Sequence, residues 1–156
     1  MLLNEAQELS ELLIANGLTI SVAESCTGGS LSQALTSIPG ASSYFNCGYI
    51  TYSNQSKAEM LDVDIQTIKT YGAVSEEVAL EMVIGVTTIS HSDVAVSVTG
   101  VAGPAGGTSK KPVGTVCFGF SCGGKTSTST QLFSGDRTSI ISQSVSYALR
   151  QLSLRF

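Results

Sequence analysis

Residues Ala23-Glu24-Ser25-Cys26-Thr27-Gly28-Gly29 stand where two hydrophobic rhythms meet. Before them, Leu18 to Ala23 is a short apolar run that reads as a strand. After them, Leu31, Ala34, Leu35 and Ile38 recur at helical spacing from Ser30 onward. Strand, tight turn and helix in that order hold a side-chain hydroxyl at a sheet edge, beside the unpaired N–H groups of a helix start. Ser25 sits at that junction and is the candidate nucleophile. The chemistry then depends on whether the chain supplies a base.

Working outward, Leu3, Ala6, Leu9, Leu12 and Leu13 mark an amphipathic opening helix that ends at Gly17. On the other side of the turn, a helix from about Gly29 to Ser37 leads to a second strand, Tyr44 to Tyr52, rich in aromatic and β-branched residues. Ser53-Asn54 and Asp64 cap two short helices. Ser75, followed by Glu76 and Glu77, opens a longer helix whose buried stripe is Val78, Met82 and Val86. A third strand, Asp93 to Val98, runs into a glycine-rich segment that extends to Pro112. Val113 to Ser121 and Thr126 to Phe133 form a hairpin around Cys122-Gly123-Gly124-Lys125, and Asp136-Arg137 starts a final helix. Helices alternating with the first three strands imply parallel pairing. The expected fold is α/β, a three-layer α/β/α sandwich with a mixed, mostly parallel sheet of about five strands. Residues 1–156 are read as a single domain.

Composition narrows the function classes. Apolar residues make up 42% and charged residues 13%, half the usual charged fraction of about a quarter, which points to surface covered by further copies of the chain. The net charge is −4 and no basic cluster exceeds Lys110-Lys111, which argues against a nucleic-acid surface. No apolar run approaches the roughly 20 residues of a membrane span, and Met1 to Glu5 lacks the pattern of an export signal, so a cytoplasmic protein is expected. Cys26, Cys47, Cys117 and Cys122 lack zinc-site spacing and are expected to be reduced thiols.

Parallel strands place their C-terminal ends on one sheet edge, where open α/β folds bind ligands. Ser25 to Gly29, Tyr52 to Lys57 and Thr99 to Gly107 converge there. The lone histidine, His91, precedes the third strand and lies at the opposite edge, which disfavours a Ser-His-Asp triad. Lys57 is on the correct edge, one turn into a helix, where burial and the helix's positive end would both lower its pKa. Tyr52 would orient that lysine or relay its proton. The plainer readings are an exposed helix lysine and a core aromatic. Gly100, Gly103, Gly106 and Gly107 leave backbone N–H groups accessible to an oxyanion or a phosphate, although a mobile surface loop would have the same composition. Lys110, Lys111 and Arg137 are candidate cations for an anionic substrate, and Cys26 reads as a small packed thiol.

Several segments together resemble the C-terminal domain of the CinA (competence/damage-inducible) proteins, a family that includes stand-alone nicotinamide-nucleotide amidases. They are Ala23 to Gly29, Gly48-Tyr49-Ile50-Thr51-Tyr52-Ser53-Asn54-Gln55-Ser56-Lys57, Tyr71-Gly72-Ala73-Val74-Ser75, Thr99-Gly100-Val101-Ala102-Gly103-Pro104, Lys111 to Val116, and Phe133-Ser134-Gly135-Asp136-Arg137. They span nearly the whole chain in family order. The resemblance implies hydrolysis of the carboxamide of nicotinamide mononucleotide to nicotinate mononucleotide and ammonia. It further implies a serine nucleophile with lysine and tyrosine partners, and no metal or organic cofactor. Ser25 and Lys57 match those positions, and Tyr52 is chosen for the tyrosine, with Tyr49 in the same segment as the alternative. Cys26, Thr27, Gly28, Gly29, Tyr49, Thr99, Gly100, Gly103 and Arg137 complete the expected substrate contacts. The competing reading from another class is a non-catalytic nucleotide- or partner-binding module, which would bind ligand and tolerate loss of Ser25.

Overall fold

The computed structural model describes residues 2–156. Helix α1 spans Leu2–Asn16, strand β1 Ile20–Glu24, helix α2 Ser30–Thr36 and strand β2 Phe45–Ile50. Helices α3 (Asn54–Leu61), α4 (Ile65–Tyr71) and α5 (Glu76–Ser90) lead to β3 (Val94–Gly100). The hairpin β4 (Thr115–Cys122) and β5 (Lys125–Leu132) precedes α6 (Arg137–Ser153). The five strands form one sheet in the order β2-β1-β3-β4-β5. The pairs β1–β2 and β1–β3 are parallel, whereas β3–β4 and β4–β5 are antiparallel. Four strands therefore point one way and β4 opposes them. This is the expected mixed α/β/α sandwich. Among the described residues no helix is long and apolar enough to cross a membrane.

Strand alternation divides the core in two. Ile20, Val22, Val94, Val96, Val98, Val116, Phe118 and Phe120 send bulky side chains to one face, where they pack against α1, α2 and α6. The other face is lined by small residues, among them Ala23, Ala95, Ser97 and Gly119, and α5 lies close against it. The Ser97 hydroxyl donates to the Ala79 carbonyl at 2.6 Å, and a Cβ on Gly119 would come within 2.5 Å of that same oxygen. On its outer side α5 meets α3 closely, since a Cβ on Gly85 would fall 2.1 Å from the Leu61 carbonyl.

Most element boundaries differ from the sequence reading by one or two residues, the second strand being Phe45–Ile50 and not Tyr44 to Tyr52, and two of these shifts have a local reason. The first strand begins at Ile20, not Leu18, because the Leu18 amide closes the end of α1 on the Leu13 carbonyl and Thr19 is tied to Asp93. The fourth begins at Thr115, not Val113, because Gly114, at φ +97, carries the chain through a turn; a Cβ there would overlap the Phe133 carbonyl.

The topology fixes where a site can form. The chain leaves β1 through α2 to reach β2 on one side, then crosses through α3, α4 and α5 to place β3 on the other. The reversal opens a crevice beyond the C-terminal ends of β1 and β3.

Candidate active site

Ser25 is the first residue after β1, and its amide donates to Val98 O at 2.9 Å, which fastens it to β3. Lys57 comes from the first turn of α3, whose start is fixed by the Ser53 hydroxyl accepting from the Ser56 amide. A helix lysine would ordinarily extend into solvent, but Lys57 is only 1% exposed. Its Nζ lies 2.9 Å from Ser25 Oγ, 2.8 Å from Thr51 O and 3.3 Å from Tyr52 O. Burial lowers its pKa from 10.5 to about 8.

The three oxygens around Nζ, to each of which it can donate as an ammonium, also suit a neutral amine. Such a group has two N–H donors and one lone pair. Two backbone carbonyls take the donors, and the remaining direction faces the serine hydroxyl. The adjacent Cys26 thiol differs sharply: burial pushes it up to about 12, so it stays protonated at neutral pH and behaves as a packing group.

A pocket of about 280 Å³ opens over this pair. The size is near the lower end of ligand sites, about 300 to 1,000 Å³, and suits one small ligand. Of the residues singled out in the sequence, Ser25, Cys26, Tyr52, Lys57, Thr99, Gly100, Gly103, Gly106 and Arg137 line it. Tyr52 is 59% exposed at the mouth, and its hydroxyl accepts a 2.9 Å hydrogen bond from Arg137, which also donates to Gly103 O at 2.8 Å. The Tyr52 ring thus forms wall, while its backbone carbonyl holds Lys57.

Other residues stand apart. Tyr49 packs into the smaller core with Ala23 and Val78, away from the pocket lining. Thr27 is buried with its hydroxyl on Glu24 Oε1, and Gly28 and Gly29 supply the positive-φ turn before α2. Thr99 donates its hydroxyl to Ala73 O at 2.8 Å, pinning the loop before α5 to the end of β3. His91 is exposed in a left-handed conformation at the end of α5, at the N-terminal edge of the sheet. Lys110 and Lys111 line a separate groove of about 880 Å³ beside α5 and β5, and Lys111 Nζ donates to the Tyr71 carbonyl. Arg137 is therefore the cation that shares the Ser25 pocket with Lys57.

Three participants were not singled out by the sequence reading. Asn54 lines the pocket, and Thr51 accepts from Lys57 through its carbonyl. Glu24 is fully buried and accepts from Thr27 Oγ1, Leu31 N, Ser32 N and Ser32 Oγ at 2.7 to 2.9 Å. A carboxylate closing an apolar strand was the available signal. The amides at the start of α2, expected to be open to an oxyanion, are thus occupied. The turn amides of Cys26 and Thr27 donate to no backbone carbonyl among the described residues.

Comparison with known proteins adds to this geometry. The CinA C-terminal domain family profile matches residues 3–156. The chain is 44% identical over 156 residues to the nicotinamide-nucleotide amidohydrolase PncC of Escherichia coli strain K12, covering 99% of this chain and 94% of that protein. It is 48% identical over 149 residues to the PncC of Enterobacter agglomerans, covering 95% and 90%. A putative competence-damage inducible protein of Alkaliphilus metalliredigens is 49% identical over 141 residues, which cover 34% of its length. Among solved structures, a CinA superfamily protein from Klebsiella pneumoniae 700603 superposes with a TM-score of 0.96 at 33% identity, covering 99% of this chain and 97% of that one.

Proposed function

Since the chain belongs to the CinA C-terminal domain family, we propose that it is an amidohydrolase of nicotinamide mononucleotide, releasing ammonia and nicotinate mononucleotide through a Ser25 nucleophile and a Lys57 base. The observation that carries the reading is the buried Lys57 Nζ at 2.9 Å from Ser25 Oγ. The relatives named for nicotinamide-nucleotide amidohydrolysis supply the substrate class.

In this mechanism Ser25 Oγ attacks the carboxamide carbon as its proton passes to the lone pair of Lys57. The oxygen of the tetrahedral intermediate takes the negative charge, and the turn amides of Cys26 and Thr27 are its donors, each worth roughly 3 kcal/mol in comparable sites. Lys57 then returns the proton to the departing nitrogen, the C–N bond breaks, and ammonia leaves an ester on Ser25. Water attacks that ester, giving its proton to Lys57. Collapse frees the carboxylate, and Lys57 reprotonates Ser25 Oγ. Tyr52 and Arg137 act at the mouth: the ring forms a wall for the pyridine and the guanidinium takes the phosphate. The same reading assigns the enzyme to pyridine nucleotide salvage in the cytoplasm, with residues 1–156 forming one domain within a homo-oligomer.

Ammonia release from nicotinamide mononucleotide by wild type, Ser25→Ala and Lys57→Ala tests the mechanism. Both variants are expected to lose turnover by at least ~10³-fold while still binding the nucleotide. Undiminished turnover in either sinks it, and binding by wild type without ammonia release supports the binding-module reading instead.

A further inference from the structure

Glu24 has no part in the bond-making steps above, yet it is fully buried beside the nucleophile. Its Oε1 accepts from Thr27 Oγ1 at 2.7 Å and from Leu31 N at 2.9 Å, and its Oε2 from Ser32 N at 2.9 Å and Ser32 Oγ at 2.7 Å. Helix α2 has no side-chain cap of its own, since Gly29 occupies the N-cap position. The carboxylate substitutes for that cap from across the turn, drawing α2 back onto the end of β1. Ser25 to Gly29 are then closed into a loop tied at both ends. The Glu24 backbone reaches the base as well. Its carbonyl accepts from Thr51 N at 2.8 Å, and the Thr51 carbonyl holds Lys57 Nζ.

We infer that Glu24 is the positioning residue of the catalytic pair, its carboxylate clamping the β1–α2 turn so that Ser25 Oγ stays within hydrogen-bond reach of Lys57 Nζ. The inference rests on the Ser25–Lys57 reading. Hydrogen bonds to a buried carboxylate are short and directional, so four of them define the turn more tightly than small residues such as Gly28 and Gly29 do. The carboxylate satisfies the helix start farther along, at the Leu31 and Ser32 amides, and leaves those of Cys26 and Thr27 outside the clamp. A lysine–serine pair gains from such a clamp because a misplacement on the order of 1 Å at a reacting atom costs about 10²-fold in rate.

The test loosens the clamp without removing its charge. Thr27→Val deletes one donor with little change in shape, and Ser32→Ala deletes another. Steady-state kinetics on nicotinamide mononucleotide at 25 °C are run beside thermal melts, so that only folded protein is compared. The expected result is a fall in kcat of about five- to fifty-fold in Thr27→Val, a smaller fall in Ser32→Ala, and KM within two-fold of wild type. A kcat within two-fold of wild type in both folded variants overturns the inference, as does a loss that appears only in KM. Glu24→Gln is the severe version, because the amide NH₂ must face two donors; a folded Glu24→Gln enzyme with wild-type kcat also overturns it. Ser25→Ala in the same assay keeps the two questions apart. Its retained turnover refutes the Ser25–Lys57 reading, whereas dead Ser25→Ala with fully active Thr27→Val and Ser32→Ala refutes the clamp alone.

Discussion

The burial of Lys57 makes a quantitative statement about how activity follows pH. An ordinary lysine at 10.5 would be neutral in only ~0.03% of molecules at pH 7. With the pKa lowered to about 8 by desolvation, the neutral fraction rises to ~10%. Burial alone therefore multiplies the concentration of competent base roughly 300-fold at pH 7. The expected kcat/KM profile rises about ten-fold per pH unit below 8 and levels off above it, because the unprotonated form is the active one. The assay is ammonia release at subsaturating nicotinamide mononucleotide between pH 5.5 and 9.5. A limb near 6 would belong to the second ionisation of the substrate phosphate and not to the enzyme. Activity independent of pH between 6.5 and 9 would refute the reasoning, since no titrating base would then be required. So would a midpoint above 10, which would mean that the amine is solvated in the working enzyme.

The same titration appears in stability: Lys57 is protonated up to about 10.5 in the unfolded chain but only to about 8 in the fold, so between those values the unfolded state binds more protons and stability rises with pH. The wild-type unfolding free energy is expected to gain about 3 kcal/mol on Lys57→Met between pH 7 and 10.5, and parallel urea curves for the two proteins would refute the assignment. Arg137→Ala removes a guanidinium that bridges Gly103 O and Tyr52 Oη at the pocket mouth. KM is expected to rise about 10- to 100-fold with little change in kcat; saturation curves that show only a kcat loss contradict a phosphate role. Gly85→Ala, which intrinsic helix propensity alone would favour by about 1 kcal/mol, is expected to destabilise by about 1–3 kcal/mol because its Cβ would meet the Leu61 carbonyl at 2.1 Å. A urea midpoint at or above wild type would show that α3 yields without cost.

The sequence made the layers legible because period and punctuation agreed along most of the chain. The Leu31-Ala34-Leu35 spacing, the Ser75-Glu76-Glu77 helix start and the Cys122 to Lys125 hairpin each had one sensible conformation, and the alternation of strands with helices then dictated parallel pairing. Ser25 and Lys57 were legible because both follow parallel strands, which puts them at one sheet edge. His91 was set aside by the same reasoning. What the sequence withheld was side-chain direction. Tyr49 and Tyr52 are three residues apart at the end of one segment, yet strand geometry turns Tyr49 into the core, while Tyr52 lies beyond the strand and opens to the pocket. Lys111 and Arg137 looked equivalent as charges, but Lys111 is captured by the Tyr71 carbonyl on another surface. Glu24 was unreadable for a related reason: its four donors come from residues up to eight positions away, and only the closed turn brings them to one carboxylate.

A lysine base poses a conflict that the fold resolves by order of depth. The amine must be kept from water to stay neutral, while the substrate must reach the site from water. Ser25 is 8% exposed and Lys57 is 1% exposed, so of the proposed pair the base is the drier member. In the proposed mechanism the serine proton moves to an amine whose other contacts are the Thr51 and Tyr52 carbonyls, and the acyl chemistry proceeds in the pocket. Those carbonyls can accept hydrogen bonds from either protonation state but cannot take a proton, so in the proposed mechanism the lysine exchanges protons only on its pocket side, where Ser25 and the reacting atoms lie. Tyr52 links the two depths, its carbonyl on the dry amine and its hydroxyl on the wet guanidinium of Arg137. A histidine triad would set the base beside the nucleophile at similar exposure. In the proposed site, burying the lysine trades that openness for the desolvation that keeps enough of the amine neutral to act as a base near pH 7.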